Sequence, residues 1–248
     1  MVANGELELL FLHALPLDDS MWAAQMDLLP DSSHAPTLYG LGDTIEAWAD
    51  RMLERAQGNR LIVVGCSVGG SCALEVATKA PGRVAALVLI GTKARHSPDP
   101  ALHGRAVRTL HEKGLEEAWQ DFWKPLLSPS ASASVVEAVK SMTLRQSVPD
   151  IARGVTVFHT RPCRDRFLAG FSGRVIVVSG ADDVAPGPQM SAMQAGSTRN
   201  GQLHVIPDCG HYVPLERPDI LNAILKALID NLRTGDVVYS VSVVAPQC

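Results

Sequence analysis

The sequence predicts an α/β fold: a mostly parallel central sheet with helices on both faces and a block of helices inserted between two strands. The first observation behind this is an alternation of apolar runs, bounded by turn residues, with amphipathic helical patterns along the 248 residues. Such alternation is typical of strand–helix–strand units, whose parallel strands are buried on both faces. The second is that the alternation stops over residues 93–172, where only helical patterns occur.

The predicted strands are short runs rich in Val, Leu and Ile. They cover residues 7–13, 60–66, 84–91, 174–180 and 203–207, with a weaker candidate at 34–40 around Tyr39. Helical patterns outside the inserted block cover residues 44–57, 69–82 and 219–232, and those inside it cover 103–114, 115–127, 132–146 and 150–161. The helical pattern at 69–82 ends on Pro81 and Gly82, a typical helix stop.

These elements divide the chain into a core and an insertion. We predict a core of residues 1–92 and 173–248 and a helical lid of residues 93–172. The lid is expected over the carboxyl ends of the strands, where α/β sheets bind ligands. Residues 236–248 alternate like a strand but follow a complete final helix, so they form either an added edge strand or a non-native extension.

The composition is typical of a soluble globular enzyme, with 46% hydrophobic and 19% charged residues. The net charge of −4 argues against a nucleic-acid partner. The five cysteines show no Cys-x-x-Cys spacing, so we expect reduced thiols in a cytoplasmic protein and no structural zinc site. The N-terminal stretch lacks the basic region of a signal peptide, and no run approaches the ~18 apolar residues of a membrane span.

Residues 63–71 read VVGCSVGGS and hold two adjacent nucleophiles, Cys66 and Ser67. A nucleophile between a strand and a helix sits on a sharp, strained turn, and the residues two before and two after it must be small. Ser67 has glycine at both positions, Gly65 and Gly69, whereas Cys66 has valine at both. The pattern therefore favours Ser67, at a helix N-terminus whose N–H groups favour developing negative charge.

A serine nucleophile needs a base, and the base needs an acid that orients it. Two histidines follow the inserted block. His204 lies within an apolar strand, where packing is its expected role, whereas His211 lies in a Gly- and Pro-rich loop suited to a base. The acid is Asp182 or Asp183, which both follow the strand at 174–180, although aspartate also favours ordinary turns.

The chain leaving the first strand completes the predicted site. The backbone N–H of Leu15 can face the nucleophile there, and the N–H of Val68 follows Ser67 directly. Together they form the predicted oxyanion hole. We expect His13, at the end of the same strand, to have a structural role and to bond nearby backbone.

Four segments stand in order along the chain: LHALPLDDSMW, GCSVGG, GADDVAP and GHYVPLERP. With them the chain resembles the α/β-hydrolase superfamily, in particular its small esterases, lactonases and related hydrolases with a helical lid. The resemblance implies an α/β-hydrolase fold and a serine mechanism on a small molecule, with no cofactor and no metal. It also favours Asp183, three residues after the strand-end glycine. Two departures are Ala14, where the family has glycine, and an early Pro186, which leaves Asp182 open.

Two features of the inserted block bear on the substrate. Trp119 lies on an apolar helical face expected to pack on the core, and Trp123 lies just off it, so both are candidates for the pocket wall. The block carries 12 Lys and Arg against 8 Asp and Glu, a net charge of +4, and the rest of the chain carries −8. Arg145, Arg153 and Arg161, spaced by eight residues, are the predicted contacts to a carboxylate-bearing substrate if the region is helical. A solvated arginine face is the alternative.

The leading hypothesis is a serine hydrolase acting on a small carboxylic ester, lactone or thioester through an acyl-enzyme on Ser67. A lyase, a synthase or a C–C hydrolase on the same scaffold would use Ser67 and His211 mainly as a base. A ligand receptor that keeps the pocket without catalysis is the third possibility. Haloalkane dehalogenases and epoxide hydrolases of this fold have Asp in place of the serine, and dienelactone hydrolases have Cys, so the resemblance excludes them.

Overall fold

Six parallel strands form one open sheet in the computed structural model, which describes residues 7–234. The strands are β1 (Leu7–Leu12), β2 (Ser33–His34), β3 (Arg60–Cys66), β4 (Val84–Ile90), β5 (Arg174–Gly180) and β6 (Gly201–Ile206). Their order across the sheet is β2-β1-β3-β4-β5-β6. The five strong strand predictions are confirmed, and the strand-like pattern at 236–248 lies outside the described residues.

The helices pack around this sheet. Within residues 7–234 they are α1 (Ile45–Arg55), α2 (Val68–Lys79), α3 (Pro100–Ala118), α4 (Ala133–Leu144), α5 (Val148–Thr160), α6 (Asp165–Gly170), α7 (Gly187–Gly196), α8 (Val213–Glu216) and α9 (Pro218–Thr234). None of them combines the length and apolar composition needed to cross a bilayer. The predicted cytoplasmic location stays a prediction.

The central strands are buried along almost their whole length. In β1, β3, β4 and β5 both alternating sets of side chains are shielded, so both faces of the sheet are covered. Because all six strands run in the same direction, their carboxyl ends meet at one edge of the sheet. Residues that follow different strands in the sequence are thereby brought together at that edge.

The weak strand prediction at 34–40 is wrong in position. The edge strand β2 covers only Ser33–His34, and Pro36 has no N–H with which to continue a ladder. The following residues turn inward instead. The Leu38 N–H donates to Nε2 of His13 at 2.8 Å, and the Tyr39 ring lies 4.9 Å from the His13 ring.

The inserted helices α3–α6 lie between β4 and β5, as the sequence predicts. Their first part is less regular than its helical pattern suggests. Gly114 adopts a φ of 83°, which kinks α3, and residues Trp119–Trp123 form a turn of π-helix. Both tryptophans are buried, at 1% and 7% exposure, and Trp119 packs on the core as its helical face predicts.

Candidate active site

Ser67 occupies a strained turn between β3 and α2. Its φ of 56° and ψ of −118° lie in a region that non-glycine residues rarely adopt. The Ser67 N–H donates to the Ile90 carbonyl at the end of β4, at 2.9 Å. The sharp strand–helix turn predicted around Ser67, which we call the elbow, is therefore present in the backbone, and the nucleophilic role of Ser67 stays a prediction.

The two glycines of the elbow are required by close backbone contacts. A Cβ on Gly65 would lie 2.3 Å from the Gly69 carbonyl oxygen, and a Cβ on Gly69 would lie 2.1 Å from that of Leu12. Both distances are far below van der Waals contact. The elbow thus packs on itself and on the end of β1, and it leaves no room for a side chain at either position.

Cys66 is buried, and its thiol is directed into the core. Its Sγ contacts the His211 carbonyl oxygen at 3.6 Å, and burial raises the pKa of the thiol well above its usual range. A buried thiol with a raised pKa supplies little thiolate at neutral pH. The geometry of the elbow and the state of this thiol both favour Ser67 as the nucleophile.

His211 and Asp183 form a buried pair at the same edge of the sheet. Nδ1 of His211 lies 3.0 Å from Oδ2 and 3.2 Å from Oδ1 of Asp183. The histidine ring packs against Gly91, where a Cβ would lie 2.7 Å from Nδ1. Gly91 directly follows Ile90, the residue that accepts the Ser67 N–H. The ring therefore lies beside the strand end to which the elbow is hydrogen-bonded.

The two candidate acids have different surroundings. Asp183 is 4% exposed, and besides His211 it accepts the Ala185 N–H at 2.8 Å. Asp182 is exposed, and its Oδ2 accepts the hydroxyl of Ser128 from the inserted helices at 2.6 Å. Of the two, Asp183 contacts His211 and Asp182 contacts Ser128, so the geometry favours Asp183 as the candidate acid.

A buried carboxylate, that of Glu216, holds the loop that carries His211. Its Oε1 accepts the Tyr212 N–H at 3.1 Å, and its Oε2 accepts the Gly210 N–H at 2.9 Å. The same Oε2 accepts the Ser128 N–H at 3.0 Å. One side chain thus fixes the backbone on both sides of His211 and ties it to the inserted block.

The predicted oxyanion donors lie at the end of β1 and the start of α2. Val68 is the first residue of its helix, so no helical carbonyl can accept its N–H. The Leu15 N–H is not hydrogen-bonded to any residue of the described chain. The Leu15 carbonyl accepts the Tyr212 hydroxyl at 3.2 Å, which links this loop to the one that carries His211.

His13 has the structural role expected of it. Its Nε2 accepts the Leu38 N–H, and its Nδ1 lies 3.0 Å from the Ala14 carbonyl, so both ring nitrogens bond backbone. The residue is completely buried, and this burial lowers the pKa of its imidazole to about 4. At neutral pH the ring is uncharged, with its proton on Nδ1.

The three predicted substrate arginines do not share a helical face, so the geometric reason for grouping them was wrong. Arg145 caps the end of α4 and Arg161 caps the end of α5, and only Arg153 lies within a helix. Each also has a partner. Arg145 contacts Asp18 at 3.1 Å, Arg153 contacts Asp43 at 3.1 Å, and Arg161 donates to the Phe158 carbonyl.

Thr92 and Gln194 support the elbow and were not predicted. The Thr92 hydroxyl donates to the Ser67 carbonyl at 2.9 Å. Gln194, on α7, donates to the Thr92 carbonyl at 3.0 Å and accepts the Ala94 N–H at 2.6 Å. Gln194 lies 102 and 100 positions from these two partners, and Thr92 lies 25 positions from Ser67. None of these contacts follows a short motif, so no pattern in the sequence signals them.

No group of three or more His, Cys, Asp or Glu side chains in residues 7–234 is arranged to hold a metal ion. The four described cysteines, Cys66, Cys72, Cys163 and Cys209, are free thiols.

Comparison with known proteins identifies the family to which this fold belongs. The sequence model of the alpha/beta hydrolase family matches residues 9–224. The chain belongs to the alpha/beta hydrolase family. The solved structure of a thermophilic esterase from Thermogutta terrifontis superposes with a TM-score of 0.82 at 26% identity, covering 92% of this chain and 90% of that one.

Two relatives known by sequence show the range within the family. A pimeloyl-[acyl-carrier protein] methyl ester esterase from Nitrosomonas europaea is 26% identical over 246 residues, covering 91% of this chain and 96% of the relative. A protein named as a non-heme bromoperoxidase, from Mycobacterium tuberculosis, is 28% identical over 176 residues. That match covers 66% of this chain and 66% of the relative's length. The comparisons support a hydrolase enzyme.

Proposed function

We propose that this alpha/beta hydrolase is a serine esterase that cleaves a small carboxylic ester, lactone or thioester without a cofactor. The observation that carries the proposal is the buried His211–Asp183 pair, packed on Gly91 beside the strained elbow of Ser67. A serine hydrolase needs a nucleophile, a base and an orienting acid in one place. Here they come from the ends of β3, β6 and β5.

In the proposed reaction the Ser67 hydroxyl attacks the carbonyl carbon while His211 takes its proton at Nε2. Asp183 accepts the Nδ1–H of His211, which keeps Nε2 unprotonated for this step and stabilises the imidazolium that forms. The N–H groups of Val68 and Leu15 bind the oxyanion. His211 then protonates the leaving alcohol, and a water activated by the same histidine releases the acid from the acyl-enzyme.

We further propose that residues 93–172 act as a lid over this edge, with residues 1–92 and 173–248 as the core. Contacts of Ser128 with Asp182 and Glu216 support this, because they join the inserted block to the neighbour of Asp183 and to the carboxylate that holds the His211 loop. Trp119 and Trp123 belong to the proposed lid, but both are buried, so their predicted place in the pocket wall depends on a lid that opens. The substrate is a small molecule, and the esterases among the relatives favour an ester.

Active-site labelling combined with two neighbouring substitutions tests the proposal. A fluorophosphonate should modify Ser67, as mapped by mass spectrometry. Ser67→Ala should lose the label and lower kcat on a short p-nitrophenyl ester by ~10⁴-fold or more. Cys66→Ala is the matched control, and it should keep both the label and most of the turnover.

Three other outcomes would contradict the proposal. An acyl adduct on Cys66 would identify Cys66, and not Ser67, as the nucleophile. Turnover of another substrate without an acyl-enzyme would favour the lyase, synthase or C–C hydrolase reading. Binding of small esters with neither labelling nor turnover would indicate a receptor.

A further inference from the structure

Three consecutive residues at the end of β4, Ile90, Gly91 and Thr92, contact both the proposed nucleophile and its proposed base. The Ile90 carbonyl accepts the Ser67 N–H at 2.9 Å, and the Thr92 hydroxyl donates to the Ser67 carbonyl at 2.9 Å. Between them, Gly91 packs on the ring of His211. The three residues therefore hold both backbone polar groups of Ser67 beside the base, and of the three Thr92 does so with its side chain.

The Thr92 side chain is buried and closely packed against the first turn of α2. A Cβ on Gly70 would lie 2.0 Å from its Oγ1 and 2.8 Å from its Cγ2. Oγ1 also lies 3.0 Å from the Ile90 carbonyl oxygen, and because a hydroxyl has one proton, this carbonyl shares it with that of Ser67. Gln194 of α7 holds the Thr92 carbonyl at 3.0 Å. Packing and hydrogen bonds thus fix the hydroxyl beside the Ser67 carbonyl.

The Ser67 carbonyl and the Val68 N–H belong to one peptide group, which is planar and trans. The direction of this carbonyl therefore sets the direction of the N–H that is proposed to bind the oxyanion. The carbonyl accepts two hydrogen bonds, one from the Ser71 N–H of the same helix at 3.2 Å and one from Thr92. The helical bond alone leaves the peptide plane free to tilt about it, and the bond from Thr92 restricts this tilt.

The strained backbone of Ser67 makes this support necessary. Its φ of 56° and ψ of −118° are rarely adopted by non-glycine residues and persist only where neighbouring contacts hold them. The direction of the Val68 N–H is therefore not secured by the conformational preference of the chain. The bond from Thr92 also strengthens this N–H as a donor, because a hydrogen bond to a carbonyl oxygen polarises its whole peptide group.

We infer that Thr92 is a positioning residue for the proposed oxyanion hole and that it acts through the peptide group of Ser67 and Val68. The inference rests on the proposed esterase function and adds which side chain directs the Val68 N–H at the oxyanion. Negative charge develops on the substrate oxygen in the transition state, so an oxyanion donor acts more strongly there than on the bound ester. The contribution of Thr92 should therefore appear in kcat rather than in KM.

Thr92→Val tests this inference, because it removes the hydroxyl and nearly keeps the shape of the side chain. Loss of a whole oxyanion donor lowers kcat by about 10²–10³-fold, so loss of its support should lower kcat on a short p-nitrophenyl ester by about 10- to 100-fold. KM should change by less than about threefold. The affinity for a trifluoromethyl ketone, which forms an oxyanion when a serine adds to it, should fall by the same factor as kcat/KM.

Two further variants are controls. Thr92→Ser keeps the hydroxyl and should retain most of the wild-type kcat. Thr78→Val removes the same kind of bond near the other end of α2, where the Thr78 hydroxyl donates to the Leu74 carbonyl at 2.7 Å. It should leave kcat and the affinity for the ketone unchanged.

A wild-type kcat in Thr92→Val would overturn the inference, and so would a raised KM with an unchanged kcat. A loss of kcat without weaker binding of the ketone would also overturn it, because Thr92 would then act on something other than the oxyanion. An equal loss in Thr92→Ser would show that the hydroxyl is not responsible. If Thr92→Val does not fold, Thr92→Ala, which cannot crowd Gly70, takes its place under the same criteria.

The wild-type protein separates failure of this inference from failure of the proposed function. If a fluorophosphonate does not label Ser67 and no ester is turned over, both proposals fail. If the wild type is labelled and active, the proposed function stands, and the comparison of the Thr92 variants decides on the role of Thr92 alone.

Discussion

The carboxyl edge of the sheet and the inserted helices are held in place by different kinds of contact. At the edge, backbone meets backbone so closely that Gly65, Gly69 and Gly180 each lie where a Cβ would come within 2.3 Å of a carbonyl oxygen. On their outer surface the inserted helices pair with the core through solvent-exposed arginines, Arg145 with Asp18 and Arg153 with Asp43. The backbone contacts at the edge leave no room for an added side chain, whereas these exposed pairs tolerate exchange of individual side chains.

The largest expected effect separates the two neighbouring aspartates at that edge. Asp183→Asn should lower kcat by ~10⁴-fold with the fold intact, because an amide sets the wrong tautomer of His211. Asp182→Asn removes a negative charge that faces the inserted block and keeps an amide oxygen that can accept the Ser128 hydroxyl, so it should change kcat by less than about tenfold. Steady-state rates on a p-nitrophenyl ester, with circular dichroism as the check on folding, measure both. If Asp182→Asn lowers kcat more than Asp183→Asn does, Asp182 is the acid that orients His211.

Glycine substitutions compare the two regions in terms of stability. Gly69→Ala should destabilise the protein by at least about 3 kcal/mol, because the new Cβ would lie 2.1 Å from the Leu12 carbonyl oxygen, which is backbone. At Gly170 in α6 no atom lies within 4 Å of the added Cβ. Gly170→Ala should be neutral or stabilising by about 0.4–1 kcal/mol. Urea unfolding of both variants is the measurement, and equal losses would contradict the contrast.

Among the histidines whose pKa is lowered, His13 at the edge and His159 in the insertion extend the contrast to pH, since the pKa of each is lowered to about 4. The folded-state pKa of His13 is about 4 against an ordinary 6.5, so below pH 6.5 the unfolded chain binds a proton that the folded chain does not. Stability should fall as the pH drops from 6.5 to 4, by about 3 kcal/mol from His13 alone. His13→Gln should remove this pH dependence.

The pKa of His159 is also lowered to about 4, by partial burial and by the nearby His103 and Arg161. This residue is half-buried, and solvent screens it. His159→Gln should therefore leave most of the pH dependence in place. The measurement is the free energy of unfolding of both variants at pH 7, 5.5 and 4. A larger loss of pH dependence in His159→Gln than in His13→Gln would contradict this prediction.

The smallest expected effect concerns the charge of the inserted block. Because Arg145 and Arg153 are already paired with carboxylates, we expect only a weak, long-range attraction for an acidic substrate. The value of kcat/KM should favour an acidic ester over its neutral methyl ester by about two- to fivefold at low salt, and the preference should vanish at high salt. Arg153→Met should leave the ratio nearly unchanged. A ratio of one at low salt would show that the basic side chains of the block do not attract the substrate.

Sequence patterns predicted the edge of the sheet better than the insertion, and the contacts explain why. A buried parallel strand needs an apolar run, and the elbow needs Gly65 and Gly69, so both leave a local signature. The residues alone did not decide between Asp182 and Asp183, because the choice depends on which carboxylate reaches His211 from another strand, and only the family resemblance favoured Asp183. The grouping of Arg145 with Arg153 failed because the chain turns between two helices at residues 145–147, where eight-residue spacing loses its meaning.

Glu216, Tyr212 and Gln194 could not have been found from the sequence for a related reason. Each bonds backbone groups, and any residue type presents the same N–H or carbonyl to such a side chain. The sequence therefore does not indicate which backbone groups such a side chain binds, even for the contacts of Glu216 with the loop around His211.

The attachment of residues 126–128 restricts how the protein can open. The Leu126 carbonyl accepts the His211 N–H at 2.8 Å, and the N–H and hydroxyl of Ser128 are held by Glu216 and Asp182. If the inserted block acts as the proposed lid, a swing of the whole block would pull on His211 and disturb its alignment with Asp183. The proposed lid opening is then expected to leave residues 126–128 in place and to be confined to the inserted helices on either side of them.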